Sequence, residues 1–430
     1  MTRSRNCLQV LRDMQLVPLA LVAATVLACS DQPTQPSTAL SSDVSAGLGA
    51  SGKSSGAVST LEWQKSARDL VKSHAVSPIN AVRIYALHSV AQYAAVVAVD
   101  QGENGVGRAS YEAQRGAIAG ASAQLLSVVF PDAAAVLEAQ LVADGNASPG
   151  DTHPHFTRGV AAGRAAGDAM IVWARADGFS LAWNESMRNA PGVGIWSGTP
   201  GVPPAGYQFP KMTPYFLQAT SGRPAQGQFR SPTPPAYSLV PGSRFQTDLA
   251  EVRNISLHRT QQQIDIANFW NLNVGTVTAL GHWDEQAALY IAENQLDERA
   301  ASHLYAIMNA ATMDATIGCW ESKYYHLMLR PTQADPTITT VYPLPNHPSY
   351  PSGHSCVSAA AITVLSRYFP AHTGTLETDL AEAGMSRIYG GIHYRFDIEA
   401  GQALGRQTAD WALAYDRDHG LLTAVGLGGQ

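Results

Sequence analysis

The chain has 430 residues, 45% of them hydrophobic, which is long for one domain and enough to bury a sizeable core. A formal charge of −6 excludes a general nucleic-acid binder, so any strongly cationic site must be a local pocket in an acidic protein. Four cysteines are too few for a disulfide scaffold.

Residues 1–28 read as an export signal. Arg3, Arg5 and Arg12 make a basic start, and Leu16 to Ala28 form an apolar run too short to span a bilayer comfortably. Val26-Leu27-Ala28-Cys29 resembles a bacterial lipobox. Cys29 is therefore the expected lipidated N-terminus of an exported lipoprotein, held in the periplasm or at the outer membrane or cell surface by its lipid anchor. The plainer alternative is cleavage nearby and a free exported protein. Residues 29–58 are rich in Ser, Gly, Thr, Pro and Gln, with almost no large apolar side chains, the composition of a flexible tether.

From Thr60 the hydrophobic period is helical. Helices are predicted over 61–76, 78–99, 110–130, 132–143 and 155–176, the last stopping before Gly178. Residues 179–243 form a long loop in which Pro and Gly alternate with Trp183, Trp196, Tyr207, Phe209, Tyr215, Phe216 and Phe229. Those aromatics either pin the loop to the core, their commoner fate, or wall a substrate entrance. Helical pattern resumes over 244–252, 259–272, 282–294 and 298–328, where Pro331 is read as the terminator. A Pro-rich loop, 336–351, leads to helices over 352–368, 376–389 and a last one running to Tyr415. No alternating strand pattern occurs. The expected fold is all-α, a multi-helix bundle of two packed lobes, 59–243 and 244–430, with an anion site in the second. Cys319 and Cys356 are read as buried free thiols, a disulfide in an oxidising compartment being the alternative.

The chemistry concentrates between Lys323 and Asp397, in three blocks. Lys323 and Arg330 lie seven apart, about two helical turns, and so are placed on one side of their helix, a point charge beside a planar fork. Alone, such a pair is usually a solvated face. Pro351-Ser352-Gly353-His354 precedes an apolar helix: Ser352 is a natural N-cap, Gly353 permits close approach of backbone to an anion, and His354 sits in the first turn. In the third block, Ser386-Arg387 is followed by His393 and Asp397, which share a face if helical. A carboxylate on one imidazole nitrogen makes the other a better nucleophile or ligand. This inventory suits one compact, multiply charged oxyanion.

The pattern Lys-x6-Arg-Pro, Pro-Ser-Gly-His, Ser-Arg-x5-His-x3-Asp resembles that of the type-2 phosphatidic-acid phosphatase and vanadium-dependent haloperoxidase superfamily. The resemblance implies an all-helical fold and gives Lys323, Arg330, Ser352, Gly353 and Arg387 to holding phosphate or vanadate. In the haloperoxidase reading His393 is the vanadate ligand, the one protein–metal bond, and His354 is the acid–base group that helps load hydrogen peroxide before halide is oxidised. In the phosphatase reading His393, oriented by Asp397, attacks a phosphomonoester to form a phosphohistidine, and His354 protonates the leaving alcohol. Trp320, three before Lys323, and His347, seven before His354, stand where halide-oxidising relatives carry Trp and His. Their bland roles are core packing and a loop hydrogen bond. Leu329 departs from the pattern, since relatives often carry Trp there. The haloperoxidase branch is the expectation and acid phosphatase the alternative; a phosphate-binding lipoprotein with a relict site is third. Helical relatives are often dimers, so a homodimer is also expected.

One prediction belongs to the leader. Cys29→Ser releases the protein from the membrane fraction, and continued pelleting of that variant with membranes contradicts lipid anchoring.

Overall fold

A computed structural model describes residues 56–101, 108–148, 150, 153–217 and 228–428. The signal 1–28, Cys29 and the tether as far as residue 55 lie outside the described residues. Among the described residues fourteen α-helices follow one another: α1 Val58–Ser73, α2 Pro78–Gln101, α3 Arg108–Val129, α4 Ala134–Asn146 and α5 His153–Ala176, then α6 Arg244–His258, α7 Gln261–Phe269 and α8 Thr278–Glu293. The remainder are α9 Glu298–His326, α10 Pro331–Ala334, α11 Gly353–Tyr368, α12 Thr373–Tyr389, α13 Arg395–His419 and α14 Leu421–Ala424. No strand forms among the described residues. The chain is all-α, as the periodicity predicts.

Helix α9 is the axis. Asp297 caps it by accepting from the Ala300 N–H at 2.8 Å, and 29 residues later it stops at Leu327, which adopts a left-handed φ of 51°. Around α9 pack α2, α11 and α13, so residues from both sides of position 243 share one core. The described residues form one compact unit. Helices α3 and α5 approach so closely that a Cβ on Gly159 would lie 2.0 Å from the Ala113 carbonyl oxygen. Helix α2 is long and apolar enough to cross a membrane, a segment the sequence reading does not anticipate after the leader. Here 78% of its most apolar window is buried in protein. A second core, built on Phe245, Leu249, Tyr350, Tyr394 and Phe396, closes the far side of the Lys323–Asp397 region.

Two sequence expectations are corrected. Cys319 and Cys356 are not free thiols: they form a disulfide between α9 and α11, their Cα atoms 6.4 Å apart. Pro331 does not end α9, which has already stopped at His326; it opens α10 as its first residue, where a missing N–H costs nothing.

In the long loop, Trp196, Phe209, Tyr215, Phe216 and Phe229 are buried. Pinning is thus their main role. Asp314, inside α9, secures the loop by accepting from the backbone N–H groups of Tyr215, Phe216 and Leu217 at 2.7, 2.7 and 3.0 Å. Asp314→Ala leaves three buried donors unpaired and lowers unfolding stability by about 3 kcal/mol, measured by urea denaturation. A loss within 0.5 kcal/mol, roughly the level of a surface substitution, contradicts the pinning role.

Candidate active site

Loops and helix ends converge on a cavity of about 430 Å³. Trp320, His347, Gly353, His354, Arg387 and His393 line it, with Lys323, Arg330, Ser352 and Asp397 buried behind that wall. All the motif residues named from the sequence therefore meet, but two of the reasons given for it are wrong. Lys323 and Arg330 do not share a helix face: α9 ends between them, and Arg330 is the N-cap of α10. His393 is not on a helix with Asp397 either. It lies in the turn before α13, and Asp397 is the third residue of that helix.

The His393–Asp397 pair has a defined polarity. Nδ1 of His393 is 2.7 Å from Oδ2 of Asp397, so it carries the proton. Nε2 lies 3.1 Å from Nη1 of Arg330, a group that can only donate, so Nε2 is the unprotonated nitrogen and accepts from it. Burial, then the Arg330 and Lys323 charges, hold His393 well below the usual imidazole range. The ring is neutral. Burial also pushes the Asp397 carboxyl up to about 6, opposed by the Ser349 hydroxyl and Lys323.

The cations are held by backbone carbonyls. The Lys323 ammonium donates to the carbonyls of Pro348 (3.0 Å), Ser349 (2.9 Å) and Pro351, which occupies all three of its hydrogens. Its charge thus reaches the cavity as a field rather than as a free donor. Burial and Arg330 pull its pKa well down. Arg330 donates to Ile392 O at 2.7 Å and His347 O at 3.1 Å. Arg387, on α12, donates to Trp270 O at 2.5 Å, a carbonyl at the C-terminal end of α7 where the helix dipole favours a cation.

His354 stands in the first turn of α11 with Nε2 3.4 Å from Arg387 Nη1 and 3.2 Å from Asn271 O. Burial and Arg387 depress its pKa well below the normal value. Ser352 caps α11 through Oγ, 3.4 Å from the Ser355 N–H, so its hydroxyl serves the helix. His347 accepts from Arg330 Nη2 at 3.1 Å, and its ring lies 5.2 Å from that of Trp320. Trp320 Nε1 and the Tyr324 hydroxyl both donate to Ala205 O, at 2.9 and 2.8 Å, fastening the long loop as a roof. Tyr207 of that loop lines the cavity, so the loop also walls the entrance. Leu329 points into the second core instead of the cavity. Sequence reasoning missed Ser349, whose hydroxyl donates to Asp397 Oδ2 at 2.5 Å, and the α7 terminus, residues 270 and 271. Spacing alone carries no signal for either.

The donor set fits an oxyanion. Three buried cations face one buried carboxylate, and the histidines beside them are neutral, so the wall keeps a net positive charge. Gly353 lets backbone come up to the cavity: a Cβ there would lie 2.9 Å from Trp320 Cη2 and 4.0 Å from Lys323 Cε.

Residues 300–420 match the model of the PAP2 superfamily. A solved bacterial vanadium-dependent iodoperoxidase is 25% identical, with a TM-score of 0.68 over 82% of this chain and 96% of that one. Bacterial vanadium-dependent chloroperoxidases, solved in holo and apo forms, share the fold at 15% identity. Their TM-scores are 0.64 and 0.63, over 82% and 81% of this chain and 94% and 95% of theirs. A search of curated proteins finds no match.

Gly353→Ala forces Trp320 and the α11 N-terminus apart. The expected result is a loss of inorganic phosphate affinity of about tenfold or more, by calorimetry, with a shift in tryptophan emission. Unchanged affinity contradicts the close-approach role of this glycine.

Proposed function

Because residues 300–420 match the PAP2 superfamily model and the chain has the fold of bacterial vanadium haloperoxidases, we propose that the protein holds vanadate at His393 and oxidises halide with hydrogen peroxide. The reaction converts halide, peroxide and one proton to hypohalous acid and water. What supports this reading is the unprotonated Nε2 of His393, on a cavity-lining ring fixed by Asp397 in a net cationic wall and met by Arg330 as its donor. The likeness to an iodoperoxidase over most of both chains favours oxidation over hydrolysis, as does His347 packed between Arg330 and Trp320. The disulfide supports it too, because no free thiol then stands beside a centre that makes a strong oxidant.

Bound vanadate supplies a Lewis-acid centre that activates peroxide toward halide. The chain does the rest. Nε2 of His393 gives the coordinating lone pair, and Asp397 retains the Nδ1 proton so that the ring keeps one tautomer. Arg387, on the cavity wall, neutralises oxyanion charge by hydrogen bonding, and Arg330 and Lys323, buried behind that wall, do so through their fields. His354, on the cavity wall with its pKa held down by burial and Arg387, would serve as the acid–base group that accepts a proton from peroxide and gives it back. Trp320 and the roof loop limit water at the back of the cavity.

The second reading is acid phosphatase. It draws on the cavity, whose roughly 430 Å³ is ample for the organic part of a phosphomonoester beside His354. Attachment through Cys29 to a bacterial membrane, with the site facing an extracytoplasmic space, is part of the same proposal.

Purified protein given orthovanadate, peroxide, bromide and a halogenatable dione is expected to turn over. His393→Ala abolishes turnover, and His354→Ala lowers it by about 10²-fold or more with a much smaller change in vanadate affinity. Phosphomonoester hydrolysis without vanadate-dependent halogenation moves the assignment to phosphatase. Tight phosphate binding with neither activity moves it to a binding lipoprotein.

A further inference from the structure

We propose that Ser349 is a positioning residue, the third member of a Ser349–Asp397–His393 relay that fixes the direction of the His393 lone pair. Each polar group of Ser349 is committed. Its N–H donates to Met328 O at 2.9 Å, just past the end of α9. Its carbonyl accepts from Lys323 Nζ at 2.9 Å. Its hydroxyl donates to Asp397 Oδ2 at 2.5 Å and lies 3.4 Å from His393 Nδ1. One fully buried residue thus ties the last turn of α9, the cradle lysine and the first turn of α13 to a single point.

The hydroxyl acts on the rotamer of the carboxylate. Oδ2 of Asp397 receives three donors: Ser349 Oγ, His393 Nδ1 and the Tyr394 N–H at 3.2 Å. Oδ1 is buried without a partner. With no partner on the other oxygen, only the donors on Oδ2 resist a twist of the carboxylate about its terminal bond, and such a twist carries the accepting oxygen off the His393 proton. The Ser349 hydroxyl, anchored at both of its backbone ends, resists that twist. The His393 ring, and with it Nε2, follows the oxygen to which Nδ1 is bound. Ser349 also spaces the charges, since the carbonyl that accepts from Lys323 and the hydroxyl that donates to Asp397 belong to the same residue. The cation and the carboxylate are therefore set apart at a distance that one serine spans.

This inference rests on His393 as the atom that meets the oxyanion. It does not depend on which reaction follows, because phosphatase and haloperoxidase chemistry both need that lone pair aimed at the cavity. The test uses the full chain, with inorganic phosphate and orthovanadate as probes in titration calorimetry and the low-field imidazole N–H proton of His393 as a spectroscopic signature. Ser349→Ala weakens both anions by about tenfold and moves or broadens that resonance, with the thermal midpoint within a few degrees of wild type. In an Asp397→Asn background the same change adds little, because the relay is already cut. Ser349→Thr, which keeps the hydroxyl, restores the resonance. An unchanged N–H signal in a folded Ser349→Ala protein overturns the proposal. So does a loss of affinity that is fully additive with Asp397→Asn, since a merely structural serine behaves that way. A failed halogenation assay with these binding results intact removes the halide reading and leaves the relay standing.

Discussion

Burying three cations against one carboxylate is the constraint on which the rest of this molecule turns. An isolated buried charge costs several kcal/mol in desolvation, roughly what one domain can spare in total. The chain offsets that cost with backbone. Lys323 is saturated by three carbonyls of the 348–351 segment, Arg330 takes Ile392 O and His347 O, and Arg387 takes the end of α7. Each of those carbonyls must be free of secondary structure, which is why the site is made of loop and helix ends framed by helices. The Pro-rich character of residues 343–351 follows from the same need, since proline supplies a carbonyl while contributing no N–H to compete for it.

Rigid framing is the second requirement. Helices α9, α11 and α13 each contribute one end to the site, and the disulfide between Cys319 and Cys356 joins the first two directly beneath it. The second core, with Tyr394 stacked on Phe396 at 4.8 Å, supports the turn carrying His393 from behind. From above, the roof loop is fixed by Asp314 and by two donors on Ala205 O. Apolar packing therefore sets where the charged groups stand, and the charged groups need only small adjustments to meet.

Legibility in the sequence divides along this line. Helices were readable because amphipathic period and caps are local, and Ser352, Thr260 and Asp297 cap as such residues should. The site was readable because Lys323, Arg330, Ser352, Gly353, His354, Arg387, His393 and Asp397 recur as spaced blocks. Their geometry was not. The break at Leu327 is a left-handed non-glycine residue with no compositional mark, so seven residues looked like two helical turns. Whether Cys319 faces Cys356 depends on how α9 crosses α11, a tertiary fact. Ser349 is one serine among prolines, and only the fold shows that its three polar groups point to three different elements.

The electrostatics also constrain how acid–base chemistry can run here. Burial first, then the Arg330 and Lys323 charges at His393 and the Arg387 charge at His354, lowers the proton affinity of both rings. An oxyanion in the cavity acts in the opposite direction, because its negative charge lies nearer to the imidazoles than bulk counter-ions can and favours their protonated forms. In the proposed reading His354 therefore gains proton affinity when the cradle is filled, whereas His393, its Nδ1 proton already committed to Asp397, would spend the same field on holding the ligand at Nε2. Two chemically identical side chains are thereby given different tasks by one difference in their surroundings: a carboxylate behind His393, and a backbone carbonyl, Asn271 O, beside His354.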